Sequence, residues 1–225
     1  MSDIIAQCLA QIDPIIKEMD LKNDFHPILS KCFDLTSNYD ESHDINHHVN
    51  VFLNAIEIYE SRNKWNLTNE EHDIMINLIV YASLLHDTID HKYPENLENK
   101  IQELDHFLES QLNPEQLTHV KWIINNISYS KENKFGYPTP PSNIVQIARD
   151  IVSDADKIEA YDISRCRAYT LYTHPLATES EIVIMVIQHC HEKLLRLKDE
   201  FIRTASGKKM AEYGHQQLLD FVAKN

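Results

Sequence analysis

Ile74-Met75-Ile76-Asn77-Leu78-Ile79-Val80-Tyr81-Ala82-Ser83-Leu84-Leu85-His86-Asp87 is the stretch on which the reading of this chain turns. From Ile74 to Leu85 it is apolar nearly all round, which marks a helix at the buried centre of a bundle. Its start is signalled upstream, where Thr68-Asn69-Glu70-Glu71 has the Thr-to-Glu spacing of a capping box. Its end is chemically costly, because the apolar run leads straight into His86-Asp87. A buried carboxylate without a partner costs several kcal/mol, and Leu84 to Asp90 contains no Lys or Arg. Taken alone, the dipeptide fits a polar helix end as well as it fits a site.

Working outward, helical periodicity recurs along the chain. Ile4, Ile5, Leu9, Ile12, Ile15 and Ile16 predict an amphipathic N-terminal helix, and a short second helix spans Pro27 to Leu35. After a polar loop from Thr36 to His43, Asp44 or Asn46 can cap a helix carrying Val49, Val51, Phe52, Ala55, Ile56 and Tyr59. The polar run Ser61-Arg62-Asn63-Lys64 ends it. Further helices are expected near Glu98–Leu112, Pro114–Ile127, Ile144–Tyr161, Glu179–Ile202 and Gly207–Val222. Gly136-Tyr137-Pro138-Thr139-Pro140-Pro141 is the clearest break and reads as a surface loop. The expected fold is all-α, a single helical bundle with residues 1–36 as an N-terminal elaboration and 37–225 as one compact unit.

Bulk properties agree and exclude some functions. With only 3 glycines in 225 residues, tight hairpins between many short strands are disfavoured. A formal charge of −14 argues against binding to a nucleic acid polymer or an anionic membrane. It leaves room for a small anion where a metal and a few cations invert the field locally. Cys8, Cys32, Cys166 and Cys190 are scattered, which suits reduced thiols in a cytoplasmic protein. No signal peptide is visible, and no apolar run approaches the ~20 residues of a membrane span.

Two other segments give His86-Asp87 its weight. One is His43-Asp44-Ile45-Asn46-His47-His48; the other is Ser153-Asp154-Ala155-Asp156-Lys157-Ile158. Imidazole and carboxylate donors together suit first-row divalent ions in hydrolases. The order His…His-Asp…Asp resembles the HD superfamily of helical metal-dependent phosphohydrolases. Within it the chain is similar to a bacterial branch with H-D-x-x-H, H-D-x-x-D-x-K and D-A-D-[KR] signatures, some members of which cleave nucleoside triphosphates to monophosphate and pyrophosphate. The C-terminal run His189-Cys190-His191-Glu192-Lys193 and then Thr204-Ala205-Ser206-Gly207 extend the likeness, which covers His43 to Phe221. The chain departs from the branch after Asp156, reaching Arg165-Cys166 without a glycine.

The resemblance implies a metal held by His47, His86, Asp87 and Asp156, with Asp156 preferred over Asp154. It implies one divalent ion, drawn from Mn, Mg, Fe, Co, Ni or Zn. Asp90 is the candidate catalytic residue, accepting a proton from a metal-activated water. Lys92, Arg165 and Lys193 are candidates for binding substrate phosphate. His43 and Asp44 are expected to orient His47 rather than to bind metal, and Tyr129 to stack on a base or fill the core. His106 and His119 are left out of the site as surface histidines. The implied partner is a small phosphorylated substrate, a nucleotide above all, with homo-oligomerisation left open. The rival readings are an HD-fold di-iron oxygenase, which needs further histidine ligands between His86 and Asp156, and a nucleotide-binding module without turnover.

Overall fold

A computed structural model describes residues 2–61 and 67–225. Among these residues there are eleven α-helices and no strand. In chain order they are α1 (Ser2–Glu18), α2 (Phe25–Thr36), α3 (Ile45–Glu60), α4 (Asn69–Leu85), α5 (Leu97–Gln111), α6 (Pro114–Asn126), α7 (Tyr129–Phe135), α8 (Asn143–Glu159), α9 (Ile163–Thr173), α10 (Glu179–His189) and α11 (Ala205–Lys224).

Local chemistry sets the starts of these helices. The Thr68 hydroxyl accepts from the Glu71 amide at 3.2 Å while the Glu71 carboxylate accepts from the Thr68 amide at 2.8 Å, closing the expected capping box on α4. Asp44 caps α3, its carboxylate accepting from the amides of Asn46 and His47. Capping boxes also open α6 at Asn113 and α10 at Thr178. Of the run expected to end α3, Ser61 caps the helix; Arg62, Asn63 and Lys64 lie outside the described residues.

The apolar run behaves as its composition demands. From Met75 to Leu85 every residue of α4 except Asn77 is buried. At ~1.5–3 kcal/mol per fully buried large aliphatic side chain, this helix is the largest single contributor to the core. It packs against α3 and α8, and those two pack against each other. Helices α1, α2, α5 and α6 add their apolar faces to the same cluster, as do Ile5, Ile12, Phe25 and Leu29 from the N-terminal pair. A second cluster forms where Val186, Leu194, Leu197 and Phe201 meet Ala211 and Leu218 of α11, and Ile158 of α8 packs on both clusters.

Three features depart from the sequence expectations. The polar segment after Asn126 forms the short helix α7, and Ile163–Thr173 forms α9, none of whose residues is fully buried. The helix expected from Glu179 to Ile202 is α-helical only to His189 and continues through two π-helical turns, Cys190–Leu194 and Leu197–Phe201. Such turns insert an extra residue per turn and recur near functional sites.

A buried polar network clamps α8. Glu132 of α7 is ion-paired with Arg149 of α8 and with Arg203, and both the Arg149 and Glu132 side chains are almost wholly buried. Asp154 accepts from the amides of Arg203 at 2.8 Å and Thr204 at 2.7 Å, so it serves the entry to α11. Of the four free cysteines, Cys8, Cys32 and Cys190 are buried. Among the described residues no helix is long and apolar enough to cross a membrane.

Candidate metal centre

The three central helices converge at one point. His47 lies in the first turn of α3, His86 and Asp87 follow the last turn of α4, and Asp156 is near the end of α8. His47 Nε2 is 3.2 Å from His86 Nε2 and 3.7 Å from Asp156 Oδ1. His86 Nε2 is 3.6 Å from both Asp87 Oδ2 and Asp156 Oδ1, and His47 Nε2 is 4.0 Å from Asp87 Oδ2. Donors bonded at ~2.1 Å stand roughly 3.0 Å apart in an octahedron and roughly 3.4 Å apart in a tetrahedron. These four side chains are therefore spaced as ligands and form a group that could hold a metal ion.

The tautomers fit that use. His86 Nδ1 donates to the carbonyl of Ser83 at 2.9 Å, which aims the lone pair of Nε2 at the convergence point. Burial, reinforced by nearby Arg165 and His86, holds His47 neutral, its pKa well below the usual imidazole value. His48 is buried beside it, with ring centroids 5.4 Å from His47 and 5.0 Å from His86, and burial keeps it neutral too. His86 differs. Burial opposes its charge, but the carboxylates of Asp87 and Asp156 outweigh that and lift its pKa to about 9. Burial also opposes charge on Asp156, yet His86 and His47 hold its carboxyl well below the usual range. Among the described residues the ion pairs of Asp87 and Asp156 are to these imidazoles. The two carboxylates thus favour positive charge where the four donors converge.

A second group abuts the first and shares Asp87 with it. His43, Asp87 and Asp90 present donor atoms within 4.8 Å of one another. Lys92 stands among them, its Nζ 3.2 Å from Asp90 Oδ2 and 3.0 Å from His43 Nε2. His43 packs edge-on against the His47 ring, with centroids 5.9 Å apart, while its ring nitrogens face Lys92 on one side and Ser42 and Tyr93 on the other. Asp44 does act on His47, through the helix cap. His91, His106 and His119 belong to neither group among the described residues.

Beyond His43 opens a cavity of ≈ 630 Å³ between α9 and the α10 continuation, floored by Tyr129 and Ser130 of α7. Lys92, Arg165 and Lys193 all line it. Arg165 is anchored by its Nε, which donates to the Ser42 carbonyl at 2.8 Å. Burial lowers the Lys193 pKa against the pull of Asp156, and its ammonium lies 5.2 Å from the centre of the Tyr129 ring. Tyr169 also lines the cavity, with the Lys92 ammonium 5.1 Å above its ring. Tyr169 in the cavity and Tyr93 beside His43 carry no motif, and their places follow only from the fold.

No family model matches the chain. The uncharacterized protein YpgQ of Bacillus subtilis (strain 168) is 28% identical over 158 residues, which cover 68% of this chain and 72% of the relative. A protein of Lactobacillus plantarum of known crystal structure superposes with a TM-score of 0.68 at 21% identity, covering 91% of this chain and 95% of that one. That likeness is one of fold.

Proposed function

We propose that the protein is a metal-dependent phosphohydrolase of the HD type that cleaves a phosphoanhydride or phosphoester bond of a nucleotide. One observation carries the reading: four imidazole and carboxylate donors converge at ligand spacing beside a cavity lined by Lys92, Arg165 and Lys193. In a chain of net charge −14, three cations around one cleft select for a small anion. A bound divalent ion would supply Lewis acidity toward a phosphoryl oxygen and a water of lowered pKa.

The remaining work falls to the chain. The Ser83 carbonyl keeps the His86 lone pair pointed inward, and Asp44 fixes the turn that carries His47. Asp90, in the same group as the shared Asp87, would accept a proton from the attacking water. Arg165 and Lys193 offset charge on the phosphate, while the Tyr129 and Tyr169 rings offer faces on which a base can stack. A nucleotide fits both the charge and the aromatic lining.

The test is a panel of nucleoside mono-, di- and triphosphates read for phosphate and pyrophosphate, with wild type beside Asp87→Asn and bound metal measured in each. Turnover and metal should be lost together in the variant, and the product will name the bond. Undiminished turnover in a metal-free Asp87→Asn protein would sink the proposal.

A further inference from the structure

The group formed by His43, Asp87 and Asp90 has the makings of a second metal site. His43 is presented as a ligating histidine is presented. Tyr93 donates its hydroxyl proton to the Asp40 carboxylate, which as an ion can only accept. The phenol oxygen is then left as an acceptor, and His43 Nδ1 lies 3.2 Å from it and 2.5 Å from the Ser42 hydroxyl. The proton of the neutral imidazole therefore belongs on Nδ1. The lone pair belongs on Nε2, which faces Asp90 at 4.0 Å. An acceptor hydrogen-bonded behind an imidazole, here the Tyr93 oxygen backed by Asp40, fixes tautomer and ring orientation in metal sites.

The position in front of that lone pair is filled by the chain itself. Lys92 Nζ is 3.0 Å from His43 Nε2 and 3.2 Å from Asp90 Oδ2. The Lys92 amide also donates to Asp90 Oδ1 at 2.9 Å, so the turn Asp90-His91-Lys92 holds the carboxylate within reach of the ammonium. An ammonium among two carboxylates and an imidazole lone pair satisfies the electrostatics that a divalent ion would otherwise satisfy.

We propose that Lys92 is a built-in cation that excludes a second divalent ion, so that the centre takes one metal, and that removing Lys92 opens a two-metal site with Asp87 shared between the ions. The inference rests on the first metal position described under the proposed function.

Metal stoichiometry with Mn2+ tests it, read by elemental analysis and by electron paramagnetic resonance of wild type, Lys92→Met and Lys92→Arg. The Lys92 side chain is 43% exposed, so its loss does not empty the core, and circular dichroism checks each variant. Wild type and Lys92→Arg should bind one ion per chain with an uncoupled spectrum. Lys92→Met should bind two, with the exchange-coupled spectrum of ions sharing a carboxylate. Two ions in wild type, or one in folded Lys92→Met, overturns the role of Lys92 while leaving the first site standing. No ion in any of the three proteins removes the first site and this inference with it.

Discussion

Metal binding should expel one proton, and His86 should be its source. The imidazole has a pKa of about 9 in the metal-free protein, so near neutral pH it is almost fully protonated. A metal must take the lone pair that this proton occupies. Below pH ~9 the apparent affinity should fall about tenfold for each unit of pH, or about a hundredfold between pH 9 and 7, equivalent to ~2.7 kcal/mol. His47 adds nothing to this dependence, because burial already keeps it neutral. Asp156 adds nothing either, because His86 and His47 keep it ionised despite burial. Calorimetric titration with Mn2+ in two buffers of different ionisation enthalpy counts the proton directly. In the metal-free Asp87→Asn protein, which lacks the largest influence raising it, the His86 pKa should fall, as an NMR titration of the imidazole would read. A flat affinity between about pH 6 and 8.5 with no proton released would show that His86 gives up no proton to the metal. Linkage gives a companion result. Raising an imidazole from 6.5 to about 9 stabilises the fold by on the order of 3 kcal/mol below pH ~6.5, and this is lost as pH rises through ~9. The metal-free protein should therefore melt at lower temperature on the alkaline side, and metal should restore it.

Other perturbations probe the scaffold. Asp44→Ala removes the cap of α3 and should cost ~1 kcal/mol in denaturant unfolding, with weaker metal binding because His47 sits in the freed turn. Glu132→Gln removes one of the two carboxylates paired with buried Arg149 and leaves Asp150, and should cost ~3 kcal/mol in the same assay; an unchanged midpoint would show the network to be dispensable. At Gly207 an added Cβ would lie 2.7 Å from the Asp154 carboxylate and 2.8 Å from the Thr204 hydroxyl. Gly207→Ala should thus cost ~1–3 kcal/mol and lower the melting temperature. Arg165→Ala, which loses the proposed phosphate contact and the link to the Ser42 carbonyl, should raise KM for the substrate more than it lowers kcat.

The sequence carried the centre of the fold because the forces there are written in local pattern. An unbroken apolar run can only be satisfied by burial on all sides, and α4 from Met75 to Leu85 is so buried. The three segments bearing His47, His86-Asp87 and Asp156 were legible as chemistry, since each puts histidine or carboxylate beside apolar residues. What joins them could not be read. The contact of Lys92 with His43, and of Tyr93 with Asp40, spans about fifty residues of chain and depends on how the loop before α3 meets the loop after α4. Helix α9 has no signal in the sequence because Arg165 to Thr173 shows no apolar stripe. Helix α7 has none because its seven residues are polar apart from Tyr129 and Phe135, and Glu132 finds Arg149 only in three dimensions. The π-helical turns after His189 are invisible for another reason, as their composition is that of an ordinary amphipathic helix.

Helix α9 also bears on the protein's behaviour in time. It buries none of its side chains fully, and its polar ties include Arg165 to the Ser42 carbonyl and Arg167 to Glu179. A wall held this way opens and closes at far less expense than α4, so its amides should exchange with solvent orders of magnitude sooner. The rigid half of the cleft would keep the reactive groups in register, while the loose half would set how quickly molecules enter and leave. Exchange slowed specifically along Ile163–Thr173 would then serve as a clock for occupancy, readable before any product is known.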